Sequence, residues 1–348
     1  MSMLDDLKLI HNRDKSDALG IAQKQYQQLL YEFDVDMSVI DFSRVQNVVY
    51  GGMGGSALAA SLFVTWPKKA MPFDIVHEYN APSYISKSTL FVAASYSGNT
   101  EETLSALAQA EEAGCQIVVI ASGGVLADKA KQASYPLFTL PSGLQPRMAT
   151  LYGLNALVTM FDGTPVVGDA RILDEFRSVA DGLKTAAERL RPDVPTADNQ
   201  AKQLALELMG NSVVVYAGPK LYPAAYKWKI SFNENAKTIA WCNQYPEFNH
   251  NEFLGWTSHP TDKPYKVVNL LADAEHERVL KRFELSERLL SGRKPAAEEV
   301  EAQGNTLLEQ LLWTVQLGDF VSLYLALLNG LDPTPVDIIE KLKTELAQ

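Results

Sequence analysis

The stretch Ser95-Tyr96-Ser97-Gly98-Asn99-Thr100 gathers the short hydroxyl side chains of Ser95, Ser97 and Thr100 and a glycine within six residues. It follows Phe91 to Ala94, an uncharged apolar run of the kind that forms a buried parallel strand. From Thr100 the pattern turns helical, with Leu104 and Leu107 spaced to face a core. A strand-to-helix turn of this composition suits a phosphate. Backbone N–H groups at the positive helix end attract the anion, and short hydroxyls donate to its oxygens. Gly98 lets the backbone approach without a Cβ in the way. The same residues also fit plain helix capping, since Asn99 with Glu102 three residues on resembles a capping box. Local chemistry leaves both readings open.

A second polar loop, Gly51-Gly52-Met53-Gly54-Gly55-Ser56, follows the short strand Val45 to Tyr50. It is not GxGxxG, and no GK[ST] follows the glycines, so neither the dinucleotide fingerprint nor the Walker A loop is present. Glu78 stands about where a ribose-binding acid would, which keeps a nicotinamide dinucleotide as a weaker alternative. Arg147, in Ser142-Gly143-Leu144-Gln145-Pro146-Arg147, lies just inside a helix start, where a cation opposes the helix dipole. Either a salt bridge or an anionic ligand would account for it. The densest polar cluster joins Asn233-Glu234-Asn235 to the loop Tyr245 to Glu252. A histidine such as His250 works as acid or base near neutral pH, and a glutamate held out of water can shuttle a proton between adjacent carbons. Metal ligation by His250 with Glu247 or Glu252 is the rival, although no HExxH helix occurs. His11, His77, His259 and His276 read as surface or structural residues.

The elements that must carry these residues follow from periodicity. Ala18 to Tyr31 reads as a helix with Ile21, Tyr26 and Leu30 near one face. Strands at 45–50, 73–79, 90–95, 116–121 and 137–140 then alternate with helices, the last running from Pro146 through Met160. That alternation predicts an α/β fold with a parallel, doubly wound sheet and its ligand at the carboxyl ends of the strands. Both polar loops fall at such ends and can line one crevice. Residues 161–200 read as a connector with a charged helix from Arg171 to Arg191. A second α/β unit follows, and VVYGG at 48–52 returns as VVYAG at 214–218, which fits two copies of one plan. It includes strands at 212–216, 237–242 and 265–271, a helix over 276–291, a long apolar helix over 307–328, and a terminal helix ending near Ala347. The domains expected are therefore 1–165, a helical connector 166–200, and 201–348.

With 348 residues, 47% of them hydrophobic, the chain can fill two cores. A net charge of −11 argues against a nucleic-acid partner but not against an anionic metabolite, because the local field of a site decides that. Cys115 and Cys242 read as buried thiols in a reducing compartment, and no membrane span is expected because Glu309, Gln316 and Asp319 interrupt the longest apolar run. The expected location is the cytoplasm.

Six segments, in order, carry a resemblance: GGMGGSALA from Gly51, SYSGNTEETL from Ser95, PSGLQPRMA from Pro141, NENAK from Asn233, PEFNHNE from Pro246 and LGDFVSLYLALLNGLDPTPV from Leu317. Together they resemble the bifunctional phosphoglucose/phosphomannose isomerases, a branch of the phosphoglucose isomerase superfamily. The resemblance implies two sugar-isomerase (SIS) domains, each a doubly wound α/β/α sandwich. It implies a small sugar phosphate as substrate, held by Ser95, Ser97 and Thr100, with Gly54, Gly55 and Ser56 lining the same pocket. Glu234 would move a proton between C2 and C1 through a cis-enediol(ate), and Arg147 would stabilise its negative charge. His250 would open the ring, reaching the site from the neighbouring subunit of a homodimer. A C-terminal lysine, Lys341 with Lys343 as a close alternative, would assist, and Thr334 would make room for the C2 epimer. No cofactor and no metal are implied, and neither nucleic acid nor membrane is a partner. Another SIS-domain isomerase stands as an alternative. So does a non-catalytic phosphosugar sensor, which would keep the hydroxyl loop but not need Glu234 and His250.

Overall fold

The structure, a computed structural model, describes residues 2–258 and 264–346. The chain divides into two compact units, Gln25–Asp181, and Met1–Lys24 together with Gly182–Gln348. Helices α1 (Leu7–Arg13) and α2 (Ala18–Gln23) open the chain. The helix expected over 18–31 stops at Gln23 and gives way to a 3₁₀ turn, Gln25–Leu30. Side chains compete for that backbone. Asn155 Nδ2 donates to the carbonyls of Gln28 and Tyr31 at 2.8 Å each, and Gln28 Nε2 donates to Met148 O at 2.7 Å. Those bonds bind 25–31 to the first sheet's unit. The residues before them belong elsewhere, with Leu4, Ile10 and Leu19 buried and the Asp5 carboxylate accepting from Thr196 N at 2.8 Å and Thr196 Oγ1 at 2.7 Å. The first 24 residues therefore complete the second unit, whereas the expected division gave them to the first domain.

The unit Gln25–Asp181 contains β1 (Asn47–Gly51), α3 (Gly54–Thr65), β2 (Phe73–Val76), β3 (Thr89–Ser95), α4 (Glu101–Glu112) and β4 (Gln116–Ala121). It continues with α5 (Gly124–Ala133), β5 (Leu137–Thr139), α6 (Thr150–Phe161) and α7 (Leu173–Ser178). Its five strands are all parallel in the order β2-β1-β3-β4-β5. Every residue of β3 is buried, which is why its interior, Leu90 to Ala94, reads as an unbroken apolar run. Phe91, Ala93 and Val119 from the sheet pack with Leu107 of α4 and Leu126 of α5 in the core on one face. The helix expected from Pro146 begins instead as a separate 3₁₀ turn, Pro146–Met148, ahead of α6.

The expected connector holds α7 and α8 (Ala180–Leu190), the division between units falls inside α8, and α9 (Gln200–Leu208) begins where the connector ends. Next come β6 (Ser212–Ala217), α10 (Tyr222–Glu234), β7 (Ala240–Gln244), α11 (Glu252–Gly255), β8 (Tyr265–Leu271) and α12 (Glu277–Leu289). The chain ends with β9 (Ala297–Glu301), α13 (Leu307–Leu328) and α14 (Asp337–Leu346). Four parallel strands run in the order β7-β6-β8-β9. The echoed VVY strands, β1 and β6, hold the same place: each is flanked by the next two strands of its own unit. Strand β9 is not visible in the sequence pattern because it is an edge strand, Ala-Glu-Glu-Val-Glu, with Val300 its one buried residue. Helix α13 is long and apolar enough to cross a membrane by length and composition, yet 94% of that window is buried inside the protein, where it serves as a core helix.

Candidate active site

Strands β1 and β3 are neighbours, and the strand order reverses between them, so the turns that follow them flank one crevice at the carboxyl edge of the sheet. In the turn after β3, Ser95 Oγ lies 2.7 Å from Thr100 Oγ1 and 3.5 Å from Ser97 Oγ, and it accepts the Gly98 N–H at 3.0 Å. Ser56 Oγ accepts the Tyr96 N–H at 3.0 Å, which ties the glycine loop to the hydroxyl loop. A Cβ on Gly55 would stand 2.9 Å from Arg147 N, so only glycine lets the turn Pro146–Met148 press against the start of α3. A small cavity under these turns is lined by Gly55, Ser56, Ser95, Tyr96 and Pro146. Gly54, Gly55, Ser56, Ser95, Ser97, Thr100 and the backbone of Arg147 are thus brought to one place. Arg147 is 1% exposed, and its Nη1 donates to Gln145 Oε1 at 3.4 Å.

Asn99 does not cap its own helix. Thr100 is the N-cap of α4, and neither α3 nor α4 has a side-chain cap. Asn99 instead accepts the Val125 N–H at 3.0 Å and so caps the start of the neighbouring α5. It reaches that far because the turns after β3 and β4 touch: Gly98 has φ +73°, and a Cβ there would lie 1.8 Å from Gly123 O. Two helix starts without side-chain caps therefore share a crevice with three hydroxyls. Their N–H groups and dipoles favour an anion.

The second sheet uses the same corner differently. Glu275, in the turn after β8, sets its Oε1 2.5 Å from Lys220 N at the turn after β6 and also accepts from Leu221 N. A Cβ on Gly218 would come within 2.4 Å of the Glu275 carboxyl carbon, so the crevice is filled by the chain's own carboxylate. Burial raises the Glu275 pKa above the usual carboxylate range, against the lowering effect of those two N–H groups.

Glu234 is the last residue of α10, and Asn233 and Asn235 beside it are both hydrogen-bonded through their side chains. Lys237 Nζ donates to Asn235 O at 3.2 Å, Asp332 O at 3.0 Å and Pro333 O at 3.2 Å, which fastens the loop carrying Thr334 to the end of α10. Lys341 is not drawn in with it. Its side chain is 75% exposed and lies 3.8 Å from Glu345 on the same helix, while Lys343 pairs with Glu340 at 2.8 Å. His250 ends the 3₁₀ turn Glu247–His250 and is exposed. Of the carboxylates that could join it on a metal, Glu252 accepts from Tyr216 Oη and from Asn243 Nδ2 at 2.7 Å, and Glu247 accepts from Asn251 Nδ2 at 2.7 Å. Among the described residues no three His, Cys, Asp or Glu side chains group as a metal set. His11 bonds Leu7 O at 2.8 Å, His77 bonds Gly52 O at 3.2 Å, and His276 caps α12 by accepting from Arg278 N at 3.0 Å. His259 lies outside the described residues. Glu78 is exposed beyond the end of β2, and Cys115 and Cys242 are free and half-buried thiols.

Residues 197–346 match the family described as the bacterial phospho-glucose isomerase C-terminal SIS domain. A protein of Caldicellulosiruptor bescii named bifunctional phosphoglucose/phosphomannose isomerase is 34% identical over 331 residues, covering 92% of this chain and 96% of that one. The chain belongs to the bifunctional phosphoglucose/phosphomannose isomerase family. A member of the same name from Aquifex aeolicus is 30% identical over 318 residues, covering 90% of this chain and 95% of its own. In fold, the chain is similar to the crystal structure of a glucose-6-phosphate isomerase like protein from Thermus thermophilus, with a TM-score of 0.67 at 20% identity over 99% of each chain.

For a member of this phosphoglucose/phosphomannose isomerase family, the hydroxyl and glycine loops were readable from residue type alone. Residue type alone does not give the seat of Glu275. The signal was present in the VVYGG and VVYAG echo: setting the two units side by side puts Glu275 in the turn that corresponds to Ser95–Thr100.

Proposed function

We propose that this chain interconverts glucose 6-phosphate and mannose 6-phosphate with fructose 6-phosphate. The observation that carries the reading is the crevice between β1 and β3, where three hydroxyls and two helix starts without side-chain caps converge beside a buried arginine. Its relatives named for both activities support the choice of sugar. The phosphate sits on Ser95, Ser97 and Thr100, with Gly54, Gly55 and Ser56 as the wall. Glu234 takes the C2 proton of the open-chain aldose, and the electron pair becomes the C1–C2 double bond of a cis-enediol(ate). The C1=O π pair moves onto O1, which takes up a proton. The C2 proton is then returned at C1 while O2 gives up its proton, so that one proton has passed from C2 to C1, one from O2 to O1, and the carbonyl is left at C2. Because the enediol has no stereocentre at C2, both epimers share it, and Thr334 leaves room for the second. The Arg147 guanidinium offsets the negative charge on the enediolate oxygen. His250, supplied across a homodimer, opens the ring, with Lys341 assisting. Binding energy at the phosphate orients carbons several bonds away, so recognition and chemistry use different residues.

A coupled assay with the two aldose phosphates side by side tests this. Fructose 6-phosphate should form from both; turnover of a different phosphosugar and of neither of these would overturn the substrate assignment. Glu234→Gln should lower kcat about a thousandfold while KM stays within about threefold. A variant within tenfold of wild type removes Glu234 from the role of base.

A further inference from the structure

Glu234 ends α10 between two asparagines that anchor it to different elements. Asn233 Nδ2 donates to Lys229 O at 2.8 Å and to Ala240 O, at the first residue of β7, at 3.3 Å. Asn235 Nδ2 donates to Ser322 Oγ on α13 at 2.9 Å, and Ser322 Oγ donates to Asp319 O at 2.9 Å. The same face of α10 continues as a polar seam. Lys227 Nζ donates to Ser231 Oγ at 2.8 Å, Ser231 Oγ donates to Asp319 Oδ1 at 2.9 Å, and Lys227 pairs with that carboxylate directly. Lys227, Ser231, Asn235, Asp319 and Ser322 are each less than a tenth exposed.

Polar groups are an inefficient way to join two helices in a core. Apolar side chains of similar volume would hold α10 on α13 at least as well. Hydrogen bonds add direction: a slip or rotation of α10 would leave a buried charge and several donors without partners. The seam therefore pins the register of α10 up to its last turn, the part of a helix most prone to fray. Asn233 and Asn235 then fix that turn from two sides.

We infer that Asn233, Asn235 and Ser322 are positioning residues that aim the Glu234 carboxylate. The inference rests on Glu234 being the base of the proposed isomerisation. A base displaced by about 1 Å costs about a hundredfold in rate without changing how the phosphate is bound.

The test compares Ser322→Ala, Asn235→Ala, Asn233→Ala and the Ser322→Ala/Asn235→Ala pair with wild type, using glucose 6-phosphate and the same substrate deuterated at C2. In each single variant kcat should fall about 10- to 100-fold with KM within about threefold. The primary isotope effect on kcat should rise above the wild-type value, because proton transfer has become the slower step. The pair should be no slower than its worse member, since both changes remove one bond. Loss of folded enzyme would lower kcat and leave the isotope effect unchanged, so a fall in kcat with a wild-type isotope effect overturns the inference. Wild-type kcat in the variants overturns it too. If Asn235→Ala does not fold, Asn233→Ala, at a half-buried position, still decides the matter. The base reading is judged separately: an active Glu234→Gln sinks that reading, whereas an inactive Glu234→Gln beside fully active Asn and Ser variants sinks only the positioning role.

Discussion

Ser95 and Ser97 carry the same group in the same turn, yet their surroundings give them different duties. Ser95 is buried at the end of β3, accepts the Gly98 N–H and touches Thr100 Oγ1, so its oxygen shapes the turn before any ligand arrives. Ser97 is exposed at the tip, and the bond it accepts from Asn99 N, at 3.3 Å, is long. Removing a hydroxyl that only meets the far end of the substrate takes equally from ground state and transition state. Ser97→Ala should therefore raise KM for the sugar phosphate about tenfold, the scale of one hydrogen bond to a charged group, and leave kcat within about twofold. Ser95→Ala should cost thermal stability as well. Steady-state kinetics with a melt of each variant checks both, and a Ser97→Ala that lowers kcat at unchanged KM would move that hydroxyl to the reacting end.

Elements buried on both faces announced themselves in the sequence, and elements defined by a neighbour did not. Strands β3 and β4 are apolar throughout their interiors, Leu90 to Ala94 and Ile117 to Ala121, so their positions needed no tertiary information. Strand β9 exists because β8 offers it a ladder, and three glutamates hide it from any hydrophobic count. Asn99 likewise had the type of a capping residue, but which helix it caps depends on how closely two turns approach. Glu275 is the clearest case, since a lone glutamate after a strand gives no local hint that it fills a crevice, and only setting the two units side by side points to it. Its raised pKa makes a test. In the folded protein Glu275 holds its proton to higher pH than in the unfolded chain. Its contribution thus favours the folded state in acid and is lost as pH rises from the usual value near 4.5 through the raised one. Glutamine carries no charge to desolvate. The melting temperature of Glu275→Gln minus that of wild type should therefore become more positive between about pH 4 and about pH 8. A difference that stays flat with pH would mean that the two N–H groups of Lys220 and Leu221 offset the burial fully.

Chain order and spatial order part company at the level of the molecule, because the first 24 residues complete the unit that residues 182–348 build. No local pattern foretells that, since it depends on Asp5 meeting Thr196 and Lys202, 191 and 197 residues away. The same gap separates His250 from its proposed work. On its own chain the ring is exposed, and the stretch around it also exposes Ile239, Trp241 and Leu254. Ring opening needs a histidine held against the sugar, and a second copy of the chain lying over this stretch would bury those apolar side chains and place His250 at the copy's site. Mixed dimers separate that arrangement from one in which each chain works alone. Glu234→Gln and His250→Ala chains, each expected to be inactive on its own, are mixed in equal amounts and allowed to exchange subunits. If His250 crosses the interface, a hybrid dimer has one site with both defects and one site with none. Random exchange makes half the dimers hybrid, so activity should return to about a quarter of the wild-type value. If His250 serves its own chain, every site keeps one defect, and the mixture stays as inactive as its parents even when differently tagged chains are shown to have exchanged.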